Sequence, residues 1–149
     1  MRDHPSHSDS PSGRVPALPP AARSPLGLEL TAAAVRGRFE LQVCADCKAV
    51  QYPPREACHR CLSSRLAWAP QPDGGELISE TTLHRSQEEY FQERVPWRVG
   101  LVRLDCGPTA IVHVHGAVPS APCRVRIAVR IDESGQAVLV ALAAAGETA

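Results

Sequence analysis

Cys44 and Cys47, then Cys58 and Cys61, form two Cys-x2-Cys pairs separated by ten residues. Two residues between thiolates allow a tight knuckle whose backbone amides turn toward sulfur. Two such knuckles complete the tetrahedral sulfur cage that zinc prefers, and the same cage is chemically open to iron. Four thiolates leave no coordination position for water or substrate, so a zinc held this way is structural. It would carry two net negative charges, and Lys48, Arg55, His59 and Arg60 place positive charge beside it. Tyr52, Leu62 and Trp68 are the apolar side chains expected to pack so small a ribbon.

No other group of residues forms a persuasive catalytic set. Cys106 falls in an expected turn and Cys123 at a strand start, seventeen residues apart in number and without a second pair, which reads as two buried thiols. His113 and His115 share one face of an expected strand, but no third ligand is placed beside them in sequence; they read as solvent-facing or hydrogen-bonded imidazoles. His84 opens a polar stretch with Glu88, Glu89 and Glu93 that reads as a solvated connection. Serine-nucleophile motifs, phosphate-binding glycine loops and dinucleotide fingerprints are absent. Lys48 is the only lysine, which removes almost all scope for lysine-based covalent catalysis. The chain is therefore expected to be no enzyme in its own right.

The elements that must position the cysteines follow from periodicity. Residues 1–25 hold Pro5, Pro11, Pro16, Pro19, Pro20 and Pro25 with five serines, a composition that cannot offset its ordering entropy, and a disordered tail is expected. Residues 26–37 follow as a short helix, with Leu26, Leu30 and Ala33/Ala34 at helical spacing and Gly37 as its stop. Phe39, Leu41 and Val43 alternate with Glu40 and Gln42, the pattern of a half-buried strand leading into Cys44. Residues 65–69 form another short strand, ended by Pro70 and the turn-rich Gln71 to Gly75. Beyond it, strands are expected over 76–84, 97–105, 109–116, 123–132 and 137–143. In the fourth, Val125, Ile127, Val129 and Ile131 alternate with Arg126, Ala128 and Arg130. Five short strands suit a small closed barrel better than a sandwich, which usually has seven or more. The expected units are a tail at 1–25, a helix at 26–37, a metal ribbon at 38–70 and a β domain at 71–149, a mainly β protein.

Composition narrows the function. The chain has 149 residues and a formal charge of +0, so the overall basic footprint of a nucleic-acid or anionic-lipid binder is missing. Six aromatic residues leave the core to Val, Leu, Ile and Ala. No run of about 18 apolar residues is present to span a membrane, and no apolar segment follows Arg2 to serve as a signal-peptide core. A cytoplasmic location is expected, where paired cysteines bind metal before they form disulfides.

The order of parts resembles the bacterial and archaeal family that joins a rubredoxin-like zinc ribbon to an OB-fold and accompanies thiolases and related acyl-CoA enzymes. The resemblance covers about residues 26–143. Its most specific element is Tyr52-Pro53-Pro54-Arg55 between the two cysteine pairs, with Ser63, Leu66 and Trp68 after the second. It implies that Cys44, Cys47, Cys58 and Cys61 bind structural zinc. It also implies a non-catalytic subunit that docks on a thiolase-fold condensing enzyme, or on a hydratase or acyltransferase, and helps to handle its acyl-CoA substrate. Arg124, Arg126 and Arg130 on one strand are then candidates to meet coenzyme A phosphates, against the plainer reading of a solvated strand face. A nucleic-acid-binding module is the alternative, since OB-folds and zinc ribbons both serve that end. Neutral charge and the single aromatic residue on the barrel strands, Trp97, weigh against it.

Overall fold

The structure, a computed structural model, describes residues 15–20 and 24–146. Most of the expected disordered tail, residues 1–14 and 21–23, lies outside the described residues. The chain runs α1 (Gly27–Val35), β1 (Glu40–Cys44), β2 (Val50–Gln51), β3 (Leu66–Pro70), β4 (Gly74–Leu83), α2 (Glu89–Gln92), β5 (Trp97–Leu104), β6 (Thr109–Val114), β7 (Cys123–Ile131) and β8 (Ala137–Ala143).

Helix α1 ends where Gly37 takes a left-handed conformation at φ 69°. The Gly37 amide donates to Ala34 O at 2.9 Å and the Arg38 amide to Ala33 O at 3.0 Å. This paired closure satisfies carbonyls the helix would otherwise leave open, and glycine reaches it without a Cβ clash. A nine-residue helix is marginal alone. It is held by burying Leu30 and Ala33 and by Thr31, whose Oγ1 accepts the Ala137 amide of β8 at 3.1 Å.

Strands β2, β1 and β3 form an antiparallel sheet with β1 in the centre. The alternation expected for β1 is corrected here. Glu40, Leu41 and Gln42 are all buried, while Phe39 and Val43 are only half-buried. The polar side chains are tolerated because they are paired. Glu40 meets Arg36 at 3.4 Å and Arg38 at 3.1 Å, and Gln42 Oε1 accepts the Arg55 amide at 2.8 Å.

The remaining five strands close into a barrel in the order β4-β5-β6-β8-β7. Strand β4 makes closure possible: Gly74–Leu77 pair with β7, while the strand also runs along β5 with a bulge between Leu77 and Ser79. Strands β6 and β8 pair in parallel, and the other ladders are antiparallel. Burial of Val125 and Ile127 against exposed Arg124 and Arg126 reproduces the first half of the alternation read from β7; its second half is corrected, since Val129 is only half-buried and Ile131 is 42% exposed. Leu30 of α1 and Leu41 of β1 belong to the same apolar cluster as Leu77, Val102, Leu104 and Ile127 of the barrel. Helix, ribbon and barrel thus share one core.

Candidate metal centre and the cleft beside the barrel

The two cysteine knuckles are built alike. Cys44 ends β1, and the Lys48 amide donates back to Cys44 O at 3.0 Å; in the second knuckle the Leu62 amide donates to Cys58 O at 3.0 Å. The residue after each pair, Lys48 and Leu62, sits at φ 62°, a conformation costing about 1–2 kcal/mol per residue for a side chain with a Cβ. It directs Leu62 outward. Leu62 is 80% exposed, so its expected role in packing the ribbon is corrected. Tyr52 and Trp68 do pack against the core.

The four Sγ atoms of Cys44, Cys47, Cys58 and Cys61 lie within 4.8 Å of one another. Cys44 and Cys61 are separated by 3.6 Å, and Cys47 and Cys58 by 3.5 Å. Tetrahedral zinc with bonds of about 2.3 Å needs sulfurs roughly 3.8 Å apart. The donor set therefore fits zinc, which would supply a cross-link between the knuckles.

N–H groups prepare the Cys58 sulfur for charge. Burial acts to raise the Cys58 thiol, but the Cys61 and Arg60 amides and the neighbouring Cys47 and Cys61 thiols outweigh it and hold Cys58 at about 6. For Cys61 the Ser63 contact draws the value down, yet burial and the three other thiols push it up to about 12. Gln51, which sequence reasoning missed, is buried in β2 and donates through Nε2 to Cys58 Sγ at 3.3 Å and Ala49 O at 3.1 Å. Its Oε1 accepts the His59 amide at 3.0 Å. A polar residue in a two-residue strand carries no periodic signal that marks it as buried.

The expected cation cluster is partly engaged elsewhere. Lys48 Nζ donates to Ala45 O at 2.7 Å, and the His59 ring meets Gln51 Oε1 through Nδ1 at 2.6 Å. The three β7 arginines do not act as one patch. Arg124 makes a two-pronged pair with Asp105 at 2.8 and 2.6 Å, which holds that carboxyl below its usual range. Arg126 faces Asp73 at 3.8 Å. Arg130, about 20 Å from Arg124 along an extended strand, lines a cavity of about 530 Å³ on the outside of the barrel.

His113 and His115 line the same cavity, confirming their shared face. His113 Nδ1 accepts Trp97 Nε1–H at 2.8 Å. Burial, then the Arg130 charge, holds His115 below its usual value. The other wall comes from the stretch read as a solvated connection: His84, Glu88, Glu89 and Glu93 are exposed as expected, but residues 89–92 form α2 and bury Tyr90, which that reading missed. Phe91 packs edge-on against Tyr90 at 5.0 Å and Trp97 at 5.1 Å, and the Arg94 guanidinium lies 3.8 Å over the Tyr90 ring. Two adjacent aromatics in a chain with only six were the available signal. Cys106 and Cys123 are half-buried and stand outside the metal cluster, and burial raises the Cys106 thiol. Among the described residues no helix is long and apolar enough to cross a membrane.

Comparison with known proteins extends this geometry. The profile of the ChsH2 rubredoxin-like zinc ribbon domain matches residues 31–67, and that of the ChsH2 C-terminal OB-fold domain matches residues 68–139. A solved structure described as an Ltp2-ChsH2(DUF35) aldolase superposes with a TM-score of 0.68 at 23% identity, over 83% of this chain and 97% of that one. A DUF35-family protein of unknown function from Sulfolobus solfataricus gives 0.52 at 15% identity, over 79% and 86%. These likenesses bear on the fold. A probable enoyl-CoA hydratase alpha subunit of Thermomonospora curvata is 29% identical over 87 residues, 58% of this chain; the match spans 27% of that curated relative's length. The two profiles adjoin at the end of the metal ribbon and together cover both the four-cysteine centre and the barrel; the chain belongs to the ChsH2 family, in which a rubredoxin-like zinc ribbon is joined to an OB-fold.

Proposed function

We propose that this chain is a non-catalytic accessory subunit that docks on a thiolase-fold condensing enzyme, or on another acyl-CoA-processing enzyme such as a hydratase or acyltransferase, and supports handling of its acyl-CoA substrate. The observation that carries the reading is the ChsH2 ribbon and OB-fold joined without interruption over residues 31–139. The described aldolase and hydratase relatives point the same way. A centre of four thiolates is a device for holding shape. With Leu30, Leu41 and the barrel interior in one cluster, a zinc clamp at the end of β1 would hold α1 and the barrel in a fixed relation for a partner to read.

Of the three arginines, Arg130 is the best placed for a coenzyme A phosphate, since it borders a cavity whereas Arg124 is engaged by Asp105. The experiment is to tag the chain in its host, purify it at moderate salt and identify co-purifying proteins by mass spectrometry. A thiolase-fold or other acyl-CoA enzyme near one-to-one is the expected result. Nucleic acid in its place, bound tightly and with steep salt dependence, would overturn the reading in favour of a binding module.

A further inference from the structure

We propose that the aromatic cleft outside the barrel is a proline-recognition site, and that the chain's own Pro19-Pro20 is its resident ligand. The inference is independent of which enzyme, if any, the chain accompanies.

Residues 15–20 read Val-Pro-Ala-Leu-Pro-Pro. Such a sequence favours an extended left-handed helix of three residues per turn, already ordered before it binds. The segment carries no secondary structure here, yet Pro19 is buried. Its neighbours are not drawn in with it: Val15 is 84% and Leu18 62% exposed. Pro16 and Pro20 are exposed and Ala17 is half-buried, so burial falls on the single ring of Pro19, with Pro20 beside it at the cavity wall, and is not the general collapse of an apolar strand onto the nearest surface. Pro19 and Pro20 form part of the wall of the cavity that Tyr90, Phe91, Trp97, His113 and Arg130 also line.

The chemistry of the cleft suits proline. Segments rich in proline are recognised by grooves of aromatic side chains, which accept the compact pyrrolidine ring without requiring a backbone N–H that proline lacks. Here Tyr90, Phe91 and Trp97 form a chain of edge-to-face contacts. The two outer rings are held in place, Tyr90 by Arg94 and Trp97 by its hydrogen bond to His113, and Phe91 is seated between them. Held rings lose little entropy when a ligand arrives. Three of the chain's six aromatic residues gather at this one place.

Tethering sets the strength. Pro20 precedes the start of α1 by seven positions, and a tether of that length gives an effective concentration in the millimolar range. The resident segment therefore fills a site whose affinity for the same sequence in a separate molecule is weak, and it yields only to a proline-rich ligand supplied at higher concentration or with added contacts.

The test uses the full chain with Trp68→Phe, leaving Trp97 as the only tryptophan. In that background Pro19→Ser/Pro20→Ser is expected to shift Trp97 emission to the red. Millimolar capped peptide of sequence Val-Pro-Ala-Leu-Pro-Pro is expected to reverse the shift, while the same peptide with all three prolines replaced by serine does not. The chain with its prolines intact is expected to respond at least threefold less to the peptide. Phe91→Ala in the double-serine variant is expected to remove the response, and metal content reports that the ribbon is intact throughout. Emission that ignores the loss of both prolines, an equal response with and without them, or an equal response to the serine peptide would each overturn the proposal.

Discussion

Truncating Leu41 to alanine tests whether ribbon and barrel share one core. Leu41 lies on the central strand of the ribbon sheet and is 0% exposed, and its neighbours in the apolar cluster include Leu30 of α1 and Leu77 and Ile127 of the barrel. Leucine-to-alanine changes at such sites cost about 2.7–5.0 kcal/mol, the lost transfer energy plus the residual cavity. Against a total stability of about 5–15 kcal/mol, a loss of about 3 kcal/mol is severe. For a chain near this size it lowers Tm by roughly 6–12 °C. The assay is thermal unfolding followed separately by Trp68, on ribbon strand β3, and by Trp97, on barrel strand β5, using Trp97→Phe and Trp68→Phe backgrounds. Leu41→Ala is expected to lower both transitions together. Ile111→Ala, at a site 73% exposed, is expected to move either by no more than about 0.5 kcal/mol. A fall seen by Trp68 alone, with the Trp97 transition unmoved, would refute the shared core and the fixed relation between ribbon and barrel built on it.

Other consequences are equally direct. Cys58→Ser removes a fully buried ligand that also receives the Gln51 and Arg60 N–H groups; bound zinc, measured by elemental analysis, is expected to fall from one per chain to well below one, and retention of full zinc would sink the ligand assignment. Gly100→Ala sets a Cβ 2.4 Å from Leu77 Cδ1 and 3.0 Å from Val114 Cγ2, so a loss of about 1–3 kcal/mol in denaturant unfolding is expected; unchanged stability would mean that the barrel gives way more easily than its packing implies. His115 lies below its ordinary value near 6.5, through burial first and Arg130 second. The unfolded chain then binds more protons between the folded and the ordinary value. This histidine is therefore neutral to stability above that window and lowers stability as pH falls through about 6.5, the loss levelling off below the depressed folded value. Arg130→Ala is expected to raise the His115 titration midpoint read by NMR, and a midpoint that stays put would exclude the charge effect.

The metal centre was legible because its signal is short-range: ligand spacing within a Cys-x2-Cys pair is a property of three adjacent peptide units. The same holds for the alternation in the first half of β7, over residues 124–127, and for the glycine stop at Gly37, since strand period and left-handed backbone are local matters. Local rules also misled. Glu40 and Gln42 alternate with apolar residues as if they faced water, but Arg36, Arg38 and the Arg55 amide reach them from outside β1 and make their burial tolerable. Polarity predicts exposure only while no partner is supplied.

The spacing of four cysteines and the periods of the strands thus determined, from sequence, the four-thiolate donor set and the barrel that follows it. Only the tertiary structure decided that Gln51 lies beneath Cys58, that Leu30 and Leu41 enter the barrel's core, and that Pro19, Phe91, Trp97 and His113 meet around one cavity. Those residues belong to elements far apart in the chain. Their meeting is set by how the sheet closes and which faces it leaves to be covered, and burial summed over the whole fold leaves no periodic mark in any one stretch of residues.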